Sequence, residues 1–304
     1  MISPRVPRLA YGAIITLFIL GGCSSDPEPS QDTASPGADA SPVNDTQAPK
    51  KDGAPIFIST MTHLEGGWDY SGPSGKQKFD KDVGKIQLAM DTFDKYGALL
   101  TIESEVPFST AETEWKSGIF TALLSRGHGV GTHCDITPDQ PVIANEEFAK
   151  QFTERKVLMD GLIGAENNLG CSGAQGRNDW IVGADLAGFK FINGIVGFAF
   201  LSMPLENRPE GWTDDYILKE GHYHDNVPLD LAERIHPFMM DDAQDMVPDV
   251  PGKVLLSAGG LGRLDGFGDA EKGESCRPNC SFEDADIDAA FRRIDEALAL
   301  HDTT

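Results

Sequence analysis

Segments with strand character and segments with helical spacing alternate along most of this chain, and that alternation decides the class of fold. Residues 54–65, A-P-I-F-I-S-T-M-T-H-L-E, are apolar, β-branched and alternating, which suits a first strand. Helical spacing follows over 78–95 at Val83, Ile86, Met90, Phe93 and Tyr96, with Gly97 where a C-cap belongs. A-L-L-T-I-E-S (98–104) is a second strand, Ser109 to Leu124 a helix capped by Ser109 or Thr110, and G-V-G-T-H-C-D (129–135) a third strand. The order continues with a helix over about 145–163, a strand around N-L-G-C-S-G, a helix over 178–187 and a strand F-I-N-G-I-V-G-F. After a less regular stretch come a strand K-V-L-L-S-A-G-G and a last amphipathic helix over 282–300. Such an order predicts one α/β domain on a parallel sheet, open or closed into a barrel.

In either form the site belongs at the C-terminal ends of the strands. Those ends carry His63 and Glu65, then Glu103 and Glu105, then His133 and Asp135, then Ser172 before a glycine-rich turn. Period-two geometry puts His63 with Glu65 on one face of the first strand, and His133 with Asp135 on one face of the third. Two His-x-acid pairs on separate parallel strands can converge on one point.

The ends of the chain set its context. The first 22 residues combine Arg5 and Arg8 with the apolar run L-A-Y-G-A-I-I-T-L-F-I-L, the pattern of an export signal and too short for a comfortable membrane span. Leu20-Gly21-Gly22-Cys23 resembles the lipobox of bacterial lipoproteins, which implies cleavage before Cys23 and lipid attachment to it. Residues 23–54 are rich in Ser, Asp, Pro and Ala and offer little to bury, so they are expected to form a flexible tether. Residues 55–304 then make one large domain. The localisation that follows is a bacterial cell envelope, with lipid as membrane anchor, and the outer membrane where the cell has one.

The chain carries 48 acidic and 25 basic residues, a balance that argues against nucleic acid or an anionic polysaccharide as partner. A neutral or cationic substrate, or a need for solubility, fits it. Besides Cys23 there are four cysteines, an even number that suggests two disulfides in an oxidising compartment. The spacing favours a local Cys276 to Cys280 bridge and a long-range Cys134 to Cys171 bridge; a zinc ribbon would need two close pairs.

The densest stretch is R-G-H-G-V-G-T-H-C-D (126–135), where glycines permit close backbone approach beside side chains able to bind metal or move protons. G-H-G-V-G-T-H-C-D-I-T resembles the second motif of the polysaccharide deacetylase (NodB-homology) superfamily. Thr62-His63-Leu64-Glu65-Gly66 is similar to its first motif, and Cys171 to Phe189, with Trp180 and Ala187-Gly188-Phe189, to its third. The resemblance implies an irregular (β/α)7 barrel over most of residues 55–302. It implies a divalent metal, usually zinc, that activates water for removal of acyl groups from a carbohydrate, with a carboxylate as base and a nearby acid protonating the leaving group. His133 falls on a metal-binding histidine and Glu65 on the metal-binding carboxylate. The family's second histidine falls on Thr137, its base on Leu64, and its late histidine motif has no match.

A ligand set rebuilt within that resemblance is His63, Glu65 and His133, with Asp135 as fourth ligand or, like Glu65, as catalytic carboxylate. A buried His63–Glu65 pair that satisfies itself is the rival, and Asp135 could equally cap a turn. His128 is expected at the start of its strand, on the surface or behind the ligands. His222, His224 and Asp225 form a further H-x-H-D cluster. Trp68, Arg234 and His236 are candidates for substrate contacts; Trp68, Tyr70 and Trp212 offer sugar-stacking surfaces, although aromatics in an α/β domain are usually core. The resulting readings are a lipid-anchored metal-dependent carbohydrate deacetylase, a carbohydrate-binding lipoprotein that has lost its chemistry, or an inert envelope scaffold.

Overall fold

The computed structural model describes residues 13–18, 56–64, 69–225, 227, 235–259, 262–263 and 283–301. It is a mixed α/β fold around a curled, mostly parallel sheet that forms a half-barrel. The strands are β1 (Ala13–Phe18), β2 (Ile56–Leu64), β3 (Leu100–Ser104), β4 (Gly129–His133), β5 (Gly170–Ser172), β6 (Phe191–Asn193), β7 (Phe238–Met240), β8 (Val254–Ser257) and β9 (Gly262–Arg263). Their order in the sheet is β7-β8-β6-β5-β4-β3-β2-β1-β9, and β7 against β8 is the antiparallel pair. Among the described residues the two ends of the sheet do not pair with each other, so of the irregular (β/α)7 barrel that the resemblance implies, the structure shows an α/β half-barrel.

The helices are α1 (Gly72–Lys95), α2 (Val106–Trp115), α3 (Ile119–Ser125), α4 (Asn145–Ile163), α5 (Trp180–Ala187), α6 (Asp214–Leu218) and α7 (Asp284–His301). None of the helices among the described residues is long and apolar enough to cross a membrane. Two apolar clusters fill the space between helices and sheet. In one, Leu64, Ile102 and Val130 pack with Phe79, Phe108 and Phe120. In the other, Cys171, Ile192 and Leu256 pack with Phe148, Trp180 and Phe189. Because strand side chains alternate, burying this set against helices turns the intervening residues to the concave face.

The structure departs from the sequence reading at several boundaries. Helix α1 starts at Gly72, ahead of the expected residue 78, with a proline in its first turn. The single helix expected over 109–124 is two helices, α2 capped at Glu105 and α3 after Gly118. The break falls where Lys116 and Gly118 adopt left-handed backbone, and the buried Glu112 carboxylate accepts hydrogen bonds from the Ser117 and Gly118 amides at 3.2 and 2.7 Å. That carboxylate satisfies donors that a continuous helix would have paired internally. The run Ala13–Phe18, read as part of an export signal, forms β1 and pairs in parallel with β2 from Ala13–Ile56 to Phe18–Met61. Cys23, Cys276 and Cys280 lie outside the described residues.

Candidate metal centre

The concave face at the C-terminal strand ends is polar across six strands: His63 on β2, Glu103 on β3, His133 on β4, Ser172 on β5, Asn193 on β6 and Ser257 on β8. Register explains the convergence. His63 pairs with Glu103, His133 with Ser172, and Asn193 with Ser257 as direct cross-strand partners. Side chains at paired positions of neighbouring parallel strands point the same way, so these six ring the mouth of the half-barrel.

Glu103 is the centre of the group. Its carboxylate is 2% exposed and lies 3.3 Å from His63 Nε2. Asn193 Nδ2 donates to Oε1 at 3.1 Å, and the Ser172 hydroxyl donates in a short contact to Oε2, the oxygen that faces His63. Ser172 Oγ also lies 2.7 Å from His133 Nδ1 and 3.2 Å from His63 Nε2. The two imidazoles are stacked, with ring centroids 3.9 Å apart and planes inclined by 22°. The buried carboxylate is satisfied by Asn193 and Ser172 and faces His63, as a carboxylate taken out of water requires.

Two groups of possible ligands result, His63 with Glu103 and His133, and Glu105 with His133 and Asp135, each with its ligating atoms within 4.8 Å of one another. They share His133, whose Nδ1 faces Ser172 and whose Nε2 is 3.9 Å from Glu105 Oε1. At that separation Glu105 is an ion-pair neighbour rather than a hydrogen-bond partner. Imidazole and carboxylate are ligand types that a divalent cation takes.

The expected ligands are thus brought together in part. His63 and His133 meet as the sequence pattern suggests, whereas Glu65 and Trp68 lie just past β2, outside the described residues, as does Arg234. Glu103, noted in the sequence at a strand end without a role, stands opposite His63. Asp135 follows β4 with φ of 37°, so the strand has ended, and the period-two argument that aligned Asp135 with His133 does not hold there. Its carboxylate nonetheless joins the exposed edge of the second group. His236 is half-buried just before β7 and belongs to neither group.

Other expectations resolve into structure. Cys134 and Cys171 form the disulfide that the spacing favours, with Cα atoms 6.0 Å apart. His128 is buried rather than exposed, its Nδ1 accepting from the Leu100 amide at 3.2 Å and its Nε2 3.1 Å from Asp94 Oδ1. His222 pairs with Asp225 at 2.7 Å and stacks on Tyr216, so that cluster braces a loop. Tyr70 is buried and donates to Asp82, and Trp212 packs on Phe200 in the core. Leu64 is buried in an apolar cluster against the helices.

Gly173 fixes the site from beneath. It has φ of +66°, and a Cβ there would stand 2.2 Å from His133 Cε1. The glycines of the G-x-G-x-G stretch divide similarly. Gly127 supplies a turn with φ of +84°, whereas a Cβ at Gly129 would stand 2.7 Å from Thr101 Oγ1 and one at Gly131 would stand 3.4 Å from Glu103 Cγ. No protein-family model matches the chain, and no curated protein or solved structure matches it.

Proposed function

We infer that this chain is a metal-dependent hydrolase that removes acyl groups from a carbohydrate of the cell envelope or its surroundings. The observation that carries the reading is the convergence of His63, Glu103 and His133 from three adjacent parallel strands, with ligating atoms within 4.8 Å. The first group is the metal site of choice because it contains both imidazoles and a buried carboxylate, while the second includes the exposed Asp135. A bound divalent ion there supplies Lewis acidity toward a carbonyl oxygen and a water molecule.

The residues around it have distinct tasks. Asn193 and Ser172 hold the Glu103 carboxylate, which orients a ligand as outer partners do in metal sites. Glu105 and Asp135, on the other side of the His133 ring, are carboxylates placed to take a proton from attacking water or to return one to the leaving group. They replace the base that Leu64 does not supply. The resemblance to polysaccharide deacetylases directs the substrate reading to an acylated sugar, and the acidic chain suits a neutral or amino sugar. Export with a lipid on Cys23 completes this reading; cleavage there would remove β1 and leave β2 without that neighbour, and the mass of the mature N-terminal peptide tests it.

The deciding experiment is metal analysis of the purified protein followed by assay of acyl release from acetylated and octanoylated oligosaccharides with and without added zinc. Stoichiometric metal with zinc-dependent release supports the hydrolase. Metal with glycan binding but no release favours the carbohydrate-binding alternative, and absence of both overturns the two together.

A further inference from the structure

Below the polar rim the half-barrel is not filled. A cavity of about 350 Å³ runs along the concave face, lined at the rim by Glu103, Asn193 and Ser257 and further down by Met61, Thr101 and Leu255. It reaches Ser59 and Leu124. Ser59 precedes His63 by four residues, so at about 3.3 Å per strand residue the cavity extends about 13 Å below the rim. β4 and β5 line it with Gly129, Gly131 and Gly170, where a side chain would meet Thr101, Glu103 and the Phe191 ring.

One group at the mouth lacks a partner. Ser257 is 5% exposed, and its hydroxyl oxygen makes no hydrogen bond among the described residues. Buried hydroxyls are nearly always bonded, so an orphan lining a cavity marks where a ligand polar atom belongs. Beside it, across the β6–β8 register, is Asn193, already committed to Glu103. The site therefore combines a polar head position at the rim with a long, chiefly apolar channel.

We propose that this cavity is an acyl-chain pocket, so that the group removed at the rim is a medium-length unbranched acyl chain rather than acetyl. This rests on the hydrolase reading for the bond that is broken, but the pocket itself stands on its own lining. The volume equals about a dozen water molecules at about 30 Å³ each, and a methylene takes similar space. The amide or ester carbonyl would accept from Ser257 while the chain lies along Thr101 and Leu255. An acetyl group would leave most of the channel empty, and an empty apolar cavity gains nothing from contacts.

The probe is octanamide against acetamide, titrated calorimetrically into the full-length protein with and without zinc. Octanamide is expected to bind at least about a hundredfold more tightly than acetamide, from the methylenes it buries. Ser59→Phe, which fills the far end, is expected to remove that difference, and Leu255→Ala to shift preference toward decanamide. Zinc binding in both variants serves as the control for a folded rim. Equal binding of the two amides, or a difference that survives Ser59→Phe in a folded variant, overturns the pocket. Octanamide binding without any zinc binding leaves the pocket standing and overturns the metal reading, whereas zinc binding without octanamide preference does the reverse.

Discussion

His63 and His133 lie stacked, ring centroids 3.9 Å apart, although β3 runs between their strands. The rings reach each other over Glu103, the β3 residue paired with His63. Two imidazoles and one carboxylate are the proposed ligand set, and it depends on all three. His63→Ala, His133→Ala or Glu103→Gln is expected to weaken zinc binding by more than about a hundredfold. Asn193→Ala, which frees a Glu103 oxygen, is expected to cost about 10–100-fold, the range for outer partners. Competition with a chromogenic chelator measures each, and Glu103→Gln with unchanged stoichiometry and affinity would contradict the ligand assignment.

Gly173→Ala tests how tightly the rim is built. A methyl group at that position cannot coexist with His133 in place, since it would stand 2.2 Å from the ring, and the φ of +66° opposes any side chain. Loss of about 1–3 kcal/mol of stability is expected from the strained backbone, together with loss of zinc binding as the imidazole is displaced. Retained far-ultraviolet circular dichroism with zinc affinity lowered would separate ring displacement from unfolding. Zinc affinity equal to that of the parent protein would show that His133 is not held from below.

Element order, the parallel sheet and the meeting of His63 with His133 were readable in the sequence because they follow from local periodicity. Strand-to-strand register is not local, and the Glu103 assignment depends on it. Glu65 attracts the ligand role through its spacing from His63 and its place in the motif resemblance, and it lies outside the described residues. Glu103 acquires its position from the pairing of β2 with β3, to which the sequence gives no access. Asn193 and Ser257 escaped for the same reason, although each closes a short strand just ahead of a turn, a signal that could have drawn attention to them. The break between α2 and α3 was hidden because Glu112, a good helix former, serves here as acceptor for the turn.

The Cys134–Cys171 disulfide joins β4 to β5 at the point where His133 faces Ser172. It closes a separation of 37 residues. Loop-closure entropy then gives about 4 kcal/mol in the chain-entropy account of cross-link stabilisation. Cys134→Ser with Cys171→Ser is expected to lower stability by roughly that amount or somewhat less, and to weaken zinc binding because the His133–Ser172 contact loses its clamp. Chemical denaturation of the double variant, and of the parent protein with and without reductant, measures both. A reduced parent protein with unchanged stability and zinc affinity would show that the rim does not depend on the bridge.

Asp179 gives the pH test. It caps α5, its Oδ1 accepting from the Val182 amide at 3.0 Å and from the Ala243 amide at 3.1 Å. Burial, reinforced by the nearby Asp242 carboxylate, holds its carboxyl above the usual carboxylate range despite the amides that donate to it. The native state therefore keeps this proton more readily than the unfolded chain, so the contribution of Asp179 to stability falls as pH rises through the interval between the ordinary value and the raised one. Asp179→Asn keeps an oxygen for both amides without a charge to bury. It is expected to equal or exceed the parent protein in stability at neutral pH and to flatten the decline across that interval. Asp179→Ala removes the cap and leaves two amides without an acceptor, a loss of about 1–3 kcal/mol. Urea denaturation from pH 4 to 8 distinguishes the two substitutions, and an Asn variant that is less stable than the parent protein at neutral pH would show that the carboxylate charge stabilises α5 after all.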